Sequence, residues 1–239
     1  MLMIEFDPVG HTYTNTETGE QYISVTALIG KYEPEFDAPG IAARISKRDG
    51  IPVDMILETW ETIKDNACKR GSMIHDMLEN YIKHGDRAGG KLPWLFDEFD
   101  RLIKQEIWRV GKMHSEIVLW SHEHKVAGMS DVIIDQGDYF WVVDFKTNKE
   151  FGYESKYNDF FFEPLQHLNV CEFNAYCLQL STYAYMYELK TGKRLKRLFV
   201  MYLRADKKSF DIINLNYMRS EVHSMLEHYK TINEKGHRG

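Results

Sequence analysis

The chain has 239 residues, of which 44% are hydrophobic and 28% are charged, and its formal net charge is −6. These values exclude a disordered chain, a collagen-like chain and a coiled-coil rod, and they leave enough apolar side chains for a packed core. No run approaches the roughly 20 apolar residues of a membrane helix, and we identify no secretion signal. The three cysteines form no CxxC pair, which argues against a disulfide framework and against a zinc or iron–sulfur centre. We therefore expect a cytoplasmic protein of one domain, residues 1–239, with no membrane association.

The N-terminal part, residues 1–110, has the pattern of a hairpin followed by helices. Residues 11–25 carry aromatic side chains on both sides of the turn residues 15–19, and a short helix is predicted from about Ala27. Residues 34–53 hold three of the six prolines, which predicts loops around a short helix.

Two amphipathic helices are predicted after these loops. Apolar residues recur at helical spacing over residues 54–83 and again over residues 93–110, where Pro93 opens the helix. Gly71 is a point at which the first stretch can divide into two helices. We expect this part of the chain to form a helical wall beside the core.

The remainder alternates between strands and helices, which predicts a mixed α/β sheet flanked by helices. We divide it into a core, residues 111–215, and a closing helical part, residues 216–239. Strands are predicted at 116–120, 130–135, 139–145, 197–204 and 210–215, and helices at 165–189 and 217–233.

Two carboxylates and an ammonium group are predicted to meet at one edge of this core. Asp131 opens one predicted strand, and Asp144 and Lys146 end the next. If the two strands pair as a hairpin, these ends lie together, and Asp144 and Lys146 share a face because side chains alternate along a strand. Crowded carboxylates repel each other without a cation, and Mg²⁺ or Mn²⁺ prefers such oxygen ligands. The backbone carbonyl of Phe145 is a further candidate ligand.

Such a site has the chemistry of phosphodiester hydrolysis. A divalent metal lowers the pKa of bound water and neutralises charge on a phosphate, and Lys146 can orient that water. The plainer interpretation is a surface hairpin whose ends form a salt bridge. Two features favour the metal site over the salt-bridged hairpin. The residues 141–143 that precede Asp144 are apolar, so unpaired charges beside them are costly. A second aspartate, Asp131, follows Gly128 in the preceding strand of the predicted hairpin.

Several short motifs follow one another in a single order along residues 22–183. They are a glycine, a histidine and a glutamate at helical spacing over 71–79, Glu116 on the first core strand, G-x-x-D at 128–131, D-x-K-T at 144–147 and Q-x-x-x-Y at 179–183. This order resembles the PD-(D/E)xK nuclease superfamily, in its RecB-like and phage-exonuclease branch. Residues 22–26 also resemble an opening seen in phage and mitochondrial genome-maintenance exonucleases. Ser130 stands where the family name has proline.

The resemblance implies a restriction-endonuclease-like fold and a role for each matched residue. Asp131 and Asp144 would hold the metal, His75 would be a further ligand or would position one, and Lys146 would act on the attacking water. For His75, the alternative is an ordinary core or surface histidine.

Three more roles are implied, each with an alternative. Glu116 would be a carboxylate at or near the metal, or else a solvated strand residue. Gln179 would orient Lys146 or the metal-bound water, and Tyr183 would lie near a DNA phosphate. Otherwise, both pack within their helix. For Glu79, we prefer an i,i+4 surface pair with Lys83.

The function implied is a Mg²⁺- or Mn²⁺-dependent DNA exonuclease of recombination, repair or phage DNA processing, without an iron–sulfur cluster or ATP. A structure-specific endonuclease and an inactive nucleic-acid-binding or assembly protein are the alternatives. The resemblance also implies a single-strand annealing or replication protein as a partner. It leaves open whether the chain is a monomer or a ring.

A basic zone lies near the end of the chain, where residues 190–208 hold eight bases and one acid. A local positive field can bind phosphates on an acidic protein, although a solvated loop and edge strand is as good an interpretation. Aromatic residues within 153–162 can stack on bases or cover the sheet. The predicted DNA contacts in the basic zone are Lys193, Arg194, Lys196 and Arg197.

Overall fold

The computed structural model describes residues 3–103 and 111–236 and has one mixed sheet with helices on both faces. The predicted fold class, α/β with a mixed central sheet flanked by helices, is confirmed. The strands are β1 (Ile4–Asp7), β2 (Thr12–Asn15), β3 (Gln21–Ser24), β4 (Lys112–Ser121), β5 (Val126–Asp135), β6 (Tyr139–Lys146), β7 (Arg194–Arg204) and β8 (Ser209–Asn214). The helices are α1 (Val25–Gly30), α2 (Ala38–Asp49), α3 (Val53–His84), α4 (Pro93–Leu102), α5 (Glu172–Thr191) and α6 (Arg219–Gly236), with a 3₁₀ turn at Ala88–Gly90.

The strands of the described ranges follow the order β1-β2-β3-β5-β6-β7-β8, and β4 lies along the other side of β5. The pairs β3–β5 and β6–β7 are parallel, and the other pairs are antiparallel. The predicted N-terminal hairpin is β2–β3, and the three predicted core strands pair as the meander β4–β5–β6. Strand β1 has no counterpart in the sequence prediction.

The sheet divides beside β5, and we call this division the fork. On one side, β4 pairs with residues 126–130 and 132–135 of β5, and the register skips Glu116 and Asp131. On the other side, β3 pairs with Val126 and Ala127, whereas β6 pairs only from Val132 onward. On this side, residues 128–131 of β5 therefore lie between the end of the pairing with β3 and the start of the pairing with β6. The G-x-x-D motif occupies this gap, so Asp131 is placed where the sheet opens.

Two apolar clusters lie on opposite faces of the sheet. Val142 belongs to the cluster under α1, α5 and α6, and Val143 belongs to the cluster under α3 and α4. They separate in this way because successive side chains of a strand point to opposite faces. The central strand β6 is thus buried on both faces, which fixes the position of the residues that end it.

The helices differ from prediction in two places. Helix α3 is continuous through Gly71, because one interior glycine costs only about 1 kcal/mol relative to alanine and tertiary packing offsets this. Helix α5 begins at Glu172 instead of 165, because the chain after Pro164 first forms tight turns, with Leu165 N–H bonded to Phe162 O. The predicted helix over 93–110 is observed as α4, and its residues 104–110 lie outside the described residues.

Candidate active site

Asp131 bridges the fork. Its Oδ2 accepts a hydrogen bond of 2.8 Å from the backbone N–H of Phe145 in β6. The same oxygen lies 3.3 Å from Nδ1 of His75 on α3. The imidazole of His75 meets the Phe145 ring edge-on at 5.9 Å between ring centroids. Three elements therefore meet at one carboxylate, and His75 lies beside Asp131, while its implied role as a metal ligand stays a prediction.

Asp144 and Lys146 end β6 on one face of the strand. Lys146 Nζ lies 2.7 Å from Asp144 Oδ2, and it donates a hydrogen bond of 3.2 Å to Gln179 Oε1 on α5. The amide of Gln179 in turn donates to Tyr183 OH at 3.2 Å. This chain of contacts fixes the ammonium group beside the carboxylate.

Tyr183 differs from its predicted role. The residue is only 4% exposed, and burial raises the pKa of its hydroxyl well above the usual value. A side chain buried at this depth orients Gln179 and does not lie at a surface that DNA can reach. The predicted contact with a DNA phosphate is corrected accordingly.

Gly128 makes room for this buried tyrosine. A Cβ atom on Gly128 would lie 2.6 Å from Cε1 of Tyr183 and 2.9 Å from Cγ2 of Val25. Both distances are far below van der Waals contact. The glycine of the G-x-x-D motif thus lets α5 pack directly on the gap in β5.

Helix α3 reaches the site through a second glycine. A Cβ atom on Gly71 would lie 3.2 Å from Oγ1 of Thr147, the residue after Lys146. The preceding Arg70 donates to the carbonyl of Thr147 at 3.3 Å. Since Gly71 and His75 are one turn apart on the same face, this close approach brings His75 to Asp131.

Glu116 in β4 lies opposite Asp131 in the neighbouring strand β5. The register that pairs Ser115 with Val132 and Ile117 with Ser130 places it there. Its backbone has φ of 52°, a conformation that non-glycine residues adopt rarely and mostly at functional or strained positions. Its carboxylate lies 3.4 Å from Lys83 Nζ. Glu116 thus lies beside the site, in contact with α3.

A small cavity joins these groups. It has a volume of about 20 Å³ and is lined by His75, Glu79, Ile82, Glu116, Asp131 and Phe145. This is room for one water molecule or one ion. The predicted pairing of Glu79 with Lys83 is confirmed, and Lys83 also contacts Glu116 at the rim.

The ionisable groups of the site perturb one another. Burial raises the pKa of Asp144 to about 6, and the charge of Asp131 adds to this effect. Burial opposes the charged form of His75, but its contact with Asp131 outweighs burial and raises the pKa to about 9. Near pH 7, the cations His75 and Lys146 therefore face the anions Asp131 and Asp144.

The donor set fits a divalent cation. The Asp144 side chain is 4% exposed, and its Oδ2 is buried without a well-aligned hydrogen bond, although the Lys146 ammonium lies close. A buried, under-satisfied carboxylate oxygen beside a second carboxylate has the chemistry that hard metal ions prefer in a ligand. The ligand atoms of His75, Asp131 and Asp144 do not all lie within 4.8 Å of one another, however. Within the described ranges, the three side-chain ligand atoms that approach within 4.8 Å of one another belong to a different group.

That other group consists of Glu123, His124 and Glu227, where the β4–β5 turn meets α6. His124 Nε2 lies 2.9 Å from Glu227 Oε1, and its Nδ1 lies 2.8 Å from Ser121 Oγ. Lys230 binds Glu123 at 2.8 Å. These contacts pair the charges and hydrogen-bonding groups of the cluster with one another and with Ser121 and Lys230. Sequence reasoning did not identify it, because its members are adjacent only in the fold.

The basic residues lie away from the fork. Parallel pairing sets Arg194 opposite Tyr139 and Arg197 opposite Trp141, whereas Lys146 pairs with Tyr202. At 3.3 Å per residue, five to seven residues of β6 correspond to roughly 16–23 Å. The structure thus brings Asp131, Asp144, Lys146, His75 and Gln179 together, with Glu116 nearby. It places Lys193, Arg194, Lys196 and Arg197 at the opposite end of the sheet.

The loop aromatics divide into two groups. Phe161 is 1% exposed and belongs to the core. The other four are exposed, namely Tyr153, Tyr157, Phe160 and Phe162. Only the exposed residues are available for stacking on a ligand.

No protein-family model and no curated protein matches the chain. Among solved structures, the protein SSO0001 is similar with 13% identity over 88% of this chain and 75% of that chain, at a TM-score of 0.36. A proposed exonuclease from Eubacterium rectale is similar with 12% identity over 88% of this chain and 81% of that chain, at a TM-score of 0.40. Likenesses this distant carry no functional argument, so the functional assignment rests on the site.

None of the helices in the described ranges is long and apolar enough to cross a bilayer.

Proposed function

We propose that this protein is a Mg²⁺- or Mn²⁺-dependent deoxyribonuclease of the PD-(D/E)xK type that removes nucleotides from DNA ends. The observation that carries the proposal is the meeting of Asp131, Asp144 and Lys146 at the fork, with His75 on the other side of Asp131. The order of these residues along the chain, which resembles the RecB-like and phage-exonuclease branch, supports it.

Asp131 and Asp144 would hold the metal, with His75 and the Phe145 carbonyl as further ligands. When bound, the metal lowers the pKa of a coordinated water and neutralises charge on a phosphate. The Phe145 N–H keeps Asp131 oriented toward the gap, and the apolar burial of β6 keeps Asp144 in place. These residues would bind the cation and hold its ligands in orientation.

Lys146 carries the remaining positive charge of the site. Its ammonium lies against Asp144 and is oriented by Gln179, so it is placed to donate a hydrogen bond to the attacking water or to an oxygen of the phosphate under attack. Tyr183 would act through Gln179, because its hydroxyl oxygen accepts a hydrogen bond from the Gln179 amide. Glu116 would be a nearby carboxylate, shielded by Lys83.

The test is digestion of DNA labelled at the 5′ or the 3′ end, in single- and double-stranded form, with Mg²⁺, Mn²⁺ or EDTA. We expect stepwise, metal-dependent loss from one end by the wild type. Asp144→Asn removes a ligand charge without changing side-chain size and should reduce the rate by more than about 100-fold. Asp135→Asn, at the far end of β5, is the matched control and should retain activity.

Other outcomes would change the assignment. Internal nicks at branched or flapped DNA would identify a structure-specific endonuclease. Tight DNA binding without any cleavage would contradict the proposal and favour a binding or assembly protein. Action in a cytoplasmic setting in recombination, repair or phage DNA processing, with a single-strand annealing or replication protein as partner, belongs to the same proposal.

A further inference from the structure

The Lys146 ammonium has a third neighbour besides Asp144 and Gln179. Its Nζ lies 4.5 Å from the centroid of the Tyr176 ring, over the face of the ring. An ammonium group over an aromatic face is attracted to the negative charge of the π-system, and more strongly where water is excluded. The Lys146 side chain is 17% exposed. Tyr176 thus contacts the reactive end of the lysine directly.

Tyr176 is held in a fixed position. Its hydroxyl donates to Oδ1 of Asn148 at 3.2 Å, and the Asn148 carbonyl accepts from Tyr202 OH at 2.9 Å. The ring also packs on Phe151, with 5.7 Å between centroids. The ring is therefore anchored to the loop that follows Lys146, to β7 and to its own helix.

The positions of Tyr176 and Gln179 on α5 explain why the ring of one and the amide of the other both contact the Lys146 ammonium. Tyr176 precedes Gln179 by three residues, so the two side chains lie on the same helical face. Gln179 contacts the ammonium through its oxygen, while Tyr176 contacts it through the ring. A lysine has four rotatable bonds in its stem, and these contacts restrict them.

We infer that Tyr176 is a positioning residue that holds the Lys146 ammonium beside the Asp131–Asp144 pair by its ring face. The inference deepens the proposed function and rests on it for the catalytic consequence. The alternative is that Tyr176 is an ordinary packing residue of α5, whose contact with the lysine is incidental.

The test compares Tyr176→Phe, which keeps the ring and loses the hydroxyl, with Tyr176→Leu, which loses the ring. Phe173→Leu is the matched control, because it removes a ring of the same aromatic cluster that does not contact Lys146. We expect Tyr176→Leu to lose roughly tenfold in kcat, with KM unchanged within about twofold. Tyr176→Phe should restore most of kcat, and Mn²⁺ binding should be retained in all three variants.

A second measurement does not depend on cleavage. In protein labelled at lysine with ¹³C and ¹⁵N, the ε-methylene protons of Lys146, assigned with Lys146→Arg, should be shifted upfield by the ring current. The shift should vanish in Tyr176→Leu and persist in Tyr176→Phe. An identical Lys146 signal in wild type and Tyr176→Leu, or full kcat without the ring, overturns the inference. If the wild type cuts no DNA but the shift depends on the ring, the proposed function fails and the positioning contact stands.

Discussion

At the scale of single residues, the site is a balance of four charges that a metal ion would disturb. His75 carries a proton because Asp131 faces it, although burial works in the opposite direction. A cation that takes His75 as a ligand must displace that proton, because only neutral imidazole binds metals. Asp144, whose pKa is raised to about 6 by burial and by Asp131, must also be ionised. The pKa values thus determine the sign of the pH effect on metal binding.

Mn²⁺ affinity should rise with pH. His75 has a pKa of about 9, so between pH 6.5 and 8.5 each unit of pH should strengthen binding by up to about tenfold, one proton being displaced. Below pH 6 the dependence should steepen as Asp144 also takes up a proton. Calorimetric titration of the protein with Mn²⁺ measures both regions. In His75→Ala, the dependence above pH 6.5 should become shallower but not vanish, because the pKa of Asp144 rises further when the His75 charge is removed; an unchanged slope would exclude His75 as a ligand.

At the scale of elements, two helices reach the sheet through glycines. Helix α5 packs on Gly128 in β5, and α3 approaches Thr147 at Gly71. Interiors are packed so densely that an added methyl group displaces its neighbours. The positions of these helices therefore depend on two missing side chains, and the contacts of Tyr183 and His75 depend on the helices.

Gly128→Ala should destabilise the fold by about 1–3 kcal/mol, because the new Cβ would overlap Tyr183 and Val25. Urea unfolding in EDTA measures the change without the contribution of a metal. Gly30→Ala is the control: it lies in α1, where the added Cβ would come within 4 Å of no atom beyond its chain neighbours and the backbone of its own helix. This variant should be neutral or stabilising, since alanine favours helix over glycine. Equal stability of the two variants would show that Tyr183 and Val25 can move to accommodate a methyl group at Gly128.

At the scale of the whole molecule, positive charge occurs at both ends of β7. Arg194 and Lys196 lie at its start, far from the fork, and Lys207 and Lys208 follow its end, nearer Lys146. Phosphate contacts add affinity that falls with salt, in proportion to the number of phosphates bound. Under the proposed function, only DNA long enough to span the sheet would contact both basic ends.

Removal of Arg194 and Lys196 should therefore weaken binding of a 30-base-pair duplex and leave a four-nucleotide strand unaffected. For the duplex, the slope of log affinity against log salt should become shallower by about one for each phosphate that the variant no longer binds. Fluorescence anisotropy at several salt concentrations measures this. Replacement of Lys207 and Lys208 is the comparison and should weaken both ligands. An unaffected duplex would exclude the far basic zone as a DNA contact.

Sequence reasoning succeeds where the pattern is local. Side-chain alternation predicts that Asp144 and Lys146 share a face, and a meander predicts that Asp131 lies near them. The contact of His75 with Asp131 follows only from the resemblance, since no local rule relates α3 to β5. The location of Arg194 is not predictable from charge, because the parallel register of β6 and β7 decides it. The burial of Tyr183 depends on Gly128, a packing relation between distant segments.

The fork has a consequence for folding. Ile23 in β3 pairs with Val126 in β5, about a hundred residues later, and His75 meets Asp131 only when α3 docks across the opening. Closing loops of this length slows folding, whereas the β4–β5–β6 meander needs only short turns. A newly made chain should therefore form the meander, with Asp131 and Asp144, before it completes the site. The protein would acquire its reactivity in the last step of folding, and stopped-flow refolding should show strand formation ahead of Mn²⁺ binding.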